Sequence, residues 1–170
     1  AAGSIAKMMI PFTMTHELIS LGTCHDPKKF DDYLTTIGEA GDSVGGIIKL
    51  TINDVPVGLG EPMFYKLDAT ITQLLMSIPA VKLVSFGDTL ELLESKGSTF
   101  NDVIINDSGT TKTNHSGGVT GGISNGNPIV IYVFVKPTSS IQKSQDTFQF
   151  QEGSIAPLKA NGRHDVAIAR

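Results

Sequence analysis

The chain has 170 residues, enough to bury a sizeable core, and its 40% apolar and 18% charged residues describe a globular protein rather than a disordered one. A net charge of −4 excludes a nucleic-acid or anionic-membrane surface as the main partner, so any anion site must be local. One cysteine, Cys24, excludes an intrachain disulfide and fits a reducing, cytoplasmic setting, where its packing matters more than its reactivity. No apolar run reaches the roughly 20 residues of a membrane span, and no signal peptide opens the chain.

Residues 1–10 are rich in Ala, Gly and Met and read as the end of a close-packed helix stopped by Pro11. Residues 27–39 begin with Pro27, carry Asp31 and Asp32 early, and put Phe30, Tyr33, Leu34 and Ile37 on one face, which predicts an amphipathic helix. Ser43 to Ile52 predicts a strand with a bulge or close backbone approach at Gly45-Gly46. Asn53, Asp54 and Pro56 make the turn after it, and Gly58 to Pro62 a loop. Phe64, Leu67, Ile71, Leu74 and Leu75 recur at helical spacing up to Pro79. Val81 to Phe86 reads as a short strand.

Residues 106–128 concentrate Gly, Asn, Ser and Thr at a density that suits neither a helix nor an ordinary strand. Ile129 to Val135 is the clearest buried strand and runs into Lys136-Pro137-Thr138-Ser139-Ser140. Thr147 to Gln151 reads as a last, polar strand, with a loop leading to Gly162-Arg163-His164-Asp165. Strands and helices mix without βα alternation, so the expected class is α+β.

A P-loop is absent, because Ile47 and Ile48 follow the glycine spacing of Gly41 and Gly46 where Lys and Ser or Thr are required. His16, His25, His115 and His164 lack metal-type spacing with a Cys or a second His, so no metal site is expected, and His16 and His25 read as surface or turn residues. Three segments carry chemistry. Asn114 to Gly118, continuing to Gly121-Gly122 and Gly126, can converge backbone N–H groups on an anion or the edge of a flat ring. Lys136 to Ser140 sets one cation among three hydroxyls, a phosphate-like donor set. Arg163 can grip an oxyanion, and Asp165 can handle a proton. Each has a bland alternative: a long turn, a solvated strand end, a surface ion pair.

Gly41-Asp42-Ser43-Val44-Gly45-Gly46 resembles a segment of the chorismate synthase family. So do Gly58 to Pro62 with Phe64 and Lys66 to Ala69, then Met76 to Lys82, then Gly97-Ser98 with Asn101-Asp102. The three chemical segments follow in the family's order, so the resemblance runs from about residue 24 to 165. Residues 1–7 look like the helix after the family's Arg-Ser-Ser-Ala stretch. The resemblance implies a layered sandwich of antiparallel sheets and helices. Residues 1–170 read as a single, partial domain lacking the family's N-terminal third and extreme C-terminus.

The implied activity is anti-1,4 elimination of phosphate from 5-enolpyruvylshikimate-3-phosphate to give chorismate, in the shikimate pathway of aromatic amino acid biosynthesis. Reduced FMN is the implied cofactor, NADPH an associated reductant, and a cytoplasmic homotetramer the implied assembly. Carried over by position, the flavin contacts are Pro79, Ala80, Gly121, Lys136, Pro137, Thr138, Ser139, Ser140 and Arg163, and Asp165 relays a proton. The family's Gly-Glu-Ser-His-Gly and Arg-Pro-x-His-Ala-Asp segments do not occur in these 170 residues, and His115 and His164 do not replace them. The alternative is therefore a non-catalytic or truncated relative that keeps a flavin or phosphate scaffold. Tyr65 stands where Asp or Gly is usual, fewer residues than usual separate Gly22 from Cys24, and Pro is missing after Asp165.

Overall fold

The computed structural model describes residues 12–88, 92–162 and 164–170. The expected helix at residues 1–10, and Arg163, lie outside them. In chain order the elements are β1 (Thr13–Leu21), a 3-10 turn (Pro27–Lys29), α1 (Phe30–Glu39), β2 (Gly46–Asn53), α2 (Leu67–Met76), β3 (Val81–Phe86) and α3 (Gly97–Phe100), then β4 (Val119–Thr120), β5 (Ile123–Ser124), β6 (Ile129–Val135), β7 (Gln145–Gln149) and β8 (Ser154–Leu158). A four-stranded sheet has the order β1-β2-β6-β3, and β4-β5 and β7-β8 are antiparallel pairs. The α+β class is borne out.

The chain divides into two compact units, one of the described residues up to Glu17 with Ile48–Val133, the other of Leu18–Ile47 with Phe134–Arg170. In the second, Leu21 is fully buried with Phe30 and Leu34, and Leu18, Cys24, Tyr33, Val44 and Val166 pack against them. Burial of a Leu side chain of this kind contributes about 1.5–3 kcal/mol. Cys24 is thus a half-buried, packed thiol, as expected. In the first unit Val55, Val81, Val119, Ile129, Ile131 and Val133 are buried.

α1 forms where the sequence signals it. Asp26 accepts from the Lys28 N–H at 3.1 Å, Asp31 and Asp32 lie in the first turn, and Gly41 (φ +67°) closes the C-terminus with its N–H on the Gly38 carbonyl. β6 alternates buried and half-buried residues, with Ile129, Ile131, Val133 and Val135 inward.

Three expectations need correction. α2 starts at Leu67 instead of Phe64: Phe64 adopts φ +61° and is exposed, and the Leu67 N–H is taken by the Gly122 carbonyl at 2.8 Å. Leu74 is likewise exposed, so the apolar spacing there does not mark a buried face. The glycine-dense stretch holds a hairpin, β4-β5, turned by Gly121 (φ +62°) and Gly122 (φ +89°), a turn with both central residues left-handed. Residues 154–158, read as loop, form β8 against β7, while β1 and α3 carried no sequence expectation.

Candidate functional site

β6 delivers the Lys136–Ser140 tract in the second unit. Glycine makes this possible: a Cβ on Gly45 would lie 2.5 Å from the Val135 carbonyl oxygen and 3.3 Å from Pro137 Cδ. The expected close backbone approach is therefore real. Ser43 Oγ donates to the Thr138 carbonyl at 2.7 Å, and Lys136 Nζ donates to Ser139 Oγ at 2.6 Å. The Thr138 hydroxyl donates to the Asp165 carbonyl at 2.8 Å, which ties the cationic tract to the Asp165 segment. Beside them, Lys143 Nζ lies 2.6 Å from Asp42 Oδ2 and the Ser43 N–H donates to Asp42 Oδ1. The Lys143 hydrogen bond, helped by that N–H, holds the Asp42 carboxyl below its ordinary value.

Asp165 is exposed and lines an open cleft of about 540 Å³ with Asp31, Leu34, Glu39, His164 and Arg170. Both ring nitrogens of His164 are buried there without a hydrogen-bond partner. Arg170 Nη2 meets Asp31 Oδ1 at 2.7 Å across solvent-exposed side chains. The tract has the donor set a phosphate needs. Lys136 keeps N–H donors beyond the one on Ser139, and the Ser139 and Ser140 hydroxyls are exposed.

Pro79, Ala80 and Gly121 belong to the first unit. Pro79 is exposed just beyond the C-terminus of α2, and Ala80 is held at φ +72°, a left-handed conformation unusual for Ala. Gly121 is exposed at the tip of the β4-β5 turn, and a Cβ on it would meet nothing within 4 Å. The hairpin is bonded to the first residue of α2 and Pro79 follows the last, so these positions flank opposite ends of a helix about 15 Å long. The structure thus brings Lys136–Ser140 and Asp165 together but keeps Pro79 and Ala80 at the far end of α2 from the hairpin.

Sequence reasoning gave no role to the residues that hold the glycine segment. Asp102 Oδ1 accepts from the Thr113 hydroxyl at 2.7 Å and the His115 N–H at 2.8 Å, and Oδ2 from the Ser116 N–H at 2.9 Å. Burial pushes its carboxyl up, but the Ser116 N–H, the Thr113 hydroxyl and the His115 N–H outweigh that and hold it below its ordinary value. His115 Nδ1 lies 2.7 Å from Asp88 Oδ2, and Phe100 stacks on the imidazole at 5.3 Å. Only the pair Asn101-Asp102, quoted for its resemblance, signalled this cluster. His16 and His25 are exposed, as expected, and so is Tyr65. Among the described residues no group of three or more His, Cys, Asp and Glu could hold a metal ion, and no helix is long and apolar enough to cross a membrane.

The family profile described as Chorismate synthase matches residues 4–170. The chain is similar to the chorismate synthase of Chitinophaga pinensis, 48% identical over 130 residues, or 76% of this chain and 39% of the relative. It is similar to that of Methanosarcina mazei, 43% identical over 150 residues, covering 85% and 41%. It is also similar to that of a Synechococcus species, 41% identical over 164 residues, covering 92% and 45%. The chain therefore spans less than half the length of these curated relatives. A crystal structure of chorismate synthase superposes with a TM-score of 0.69 at 27% identity, over 76% of this chain and 50% of that one.

Proposed function

Because the chain belongs to the chorismate synthase family, we propose that it supplies part of an enzyme converting 5-enolpyruvylshikimate-3-phosphate to chorismate and phosphate with reduced FMN. The observation that carries this reading is the bond from the Thr138 hydroxyl to the Asp165 carbonyl, which ties a phosphate-type donor tract to the segment that carries the Asp165 carboxylate. The reaction needs both, since the flavin has to be held by its anionic groups and a C–H bond of low acidity breaks. Reduced FMN, when bound, supplies electron density to the substrate ring as its phosphate departs.

In this reading Lys136 and the hydroxyls of Ser139 and Ser140, with Arg163, hold the anionic groups of the flavin, and Thr138, whose own O–H is on the Asp165 carbonyl, is a flavin contact implied by position. Asp165 moves a proton at its carboxylate oxygens. Pro79, Pro137, Ala80 and Gly121 are further flavin contacts implied by position. The same reading carries a cytoplasmic homotetramer, with NADPH as the associated reductant.

Asp165→Asn in the full-length protein tests it. The expected result is FMN affinity within about threefold of wild type and turnover slowed by about 10²-fold or more, the range of a lost acid–base group. Unchanged turnover removes Asp165 from the reaction. Lys136→Ala is expected to weaken FMN binding about 10- to 100-fold, as loss of a charged hydrogen bond does.

A further inference from the structure

The glycine segment is anchored by a group that the reading above does not use. Asp102 lies two residues beyond α3 and reaches forward to Thr113, His115 and Ser116. Every partner is a donor: one hydroxyl and two backbone N–H groups. Only a group that accepts through both terminal atoms satisfies them, which a carboxylate does and a carboxamide does not. The anchored residues lead directly into Gly117 and Gly118. There Asn114 Oδ1 accepts the Gly118 N–H at 2.8 Å, and Asn114 Nδ2 donates to the Pro128 carbonyl at 2.8 Å. The Asn125 N–H returns to the Gly118 carbonyl at 3.0 Å, closing the base of the β4-β5 hairpin. The Asp88 N–H on the His115 carbonyl, at 3.0 Å, fixes the same segment from its other side. One side chain thus sits at the root of a hydrogen-bonded path that leads into the β4-β5 hairpin, whose turn holds Gly121.

We propose that Asp102 is a positioning residue, whose carboxylate clamps residues 113–116 and thereby sets the geometry of the Gly121 turn for the flavin. The proposal rests on the reading of Gly121 as a flavin contact. Asp102 itself touches neither flavin nor substrate.

Asp102→Asn keeps the shape and turns one acceptor into a donor facing a donor. Two measurements on the full-length protein at low temperature separate the possibilities. Amide hydrogen exchange reports the clamp: the His115 and Ser116 amides are expected to exchange at least about tenfold faster in the variant. FMN titration, followed by the visible circular dichroism of the bound flavin, reports the consequence: affinity falls about tenfold and the band weakens. Unchanged exchange overturns the clamp. Faster exchange with unchanged affinity and dichroism, in a protein whose wild type binds FMN, overturns the positioning role and leaves the flavin reading standing. Wild-type protein that fails to bind FMN sinks the flavin reading and the positioning role with it. Should Asp102→Asn fail to fold, Thr113→Val removes one of the bonds and keeps both N–H donors. It is expected to cost about threefold in affinity with the same dichroic change, and wild-type affinity in that variant overturns the proposal.

Discussion

Replacing Gly45 with Ala tests how the backbone delivers the cationic tract. Gly45 does not adopt a left-handed φ, so the cost is steric alone. The new methyl would stand 2.5 Å from the Val135 carbonyl oxygen, closer than real Cβ atoms approach, and 3.3 Å from Pro137 Cδ. Val135 lies in β6 and cannot swing aside as a side chain would. The Gly45 carbonyl also accepts the Gly22 N–H at 2.8 Å, so retreat of the Gly45 backbone strains a second contact. Overpacking of this kind costs about 1–3 kcal/mol. For a chain of this size that lowers the melting temperature by roughly 2–12 °C. Gly97→Ala is the control, since a Cβ there meets nothing within 4 Å and Gly97 opens α3. It is expected to be neutral or to stabilise by up to about 1 kcal/mol. Thermal unfolding by circular dichroism reads both. Gly45→Ala melting with wild type, within about 1 °C, refutes the close-approach argument.

Lys143→Met is expected to destabilise the protein at neutral pH. The depressed Asp42 carboxyl contributes stability that is present above its unfolded pKa and lost as pH falls through its lower folded value. The gap between variant and wild type in urea unfolding should therefore close in strong acid, and a constant gap at every pH would contradict the assignment. Ser124→Ala removes a buried hydroxyl that accepts from the Leu59 N–H at 2.9 Å and donates to the Pro56 carbonyl at 2.6 Å. Its expected cost is about 1–3 kcal/mol, read from the urea midpoint, and a midpoint equal to wild type would show that both groups find other partners.

What sequence could settle was local or strongly periodic. α1, β3 and β6 were legible because Pro27, the acidic first turn and the apolar runs act within a few residues. The chemical segments were legible because glycine, lysine and hydroxyl side chains advertise a donor set wherever they are folded. β8 was hidden by Pro157, which is tolerated because it pairs with Asp146 at the margin of a two-stranded ribbon. α2 was misjudged at its start because a bond from Leu67 to Gly122, 55 residues along the chain, decides where the helix begins.

The same reason governs the site. The order of strand and helix patterns along the chain determined the α+β class, and the motifs the kinds of group on offer. Tertiary structure alone decided that the Thr138 hydroxyl meets the Asp165 segment, that Pro79 and the Gly121 hairpin flank opposite ends of α2, and that Asp102 holds the residues before the glycines. A hydrogen bond closes over an ångström or two of space but can cross many residues of chain, and no local pattern records that closure.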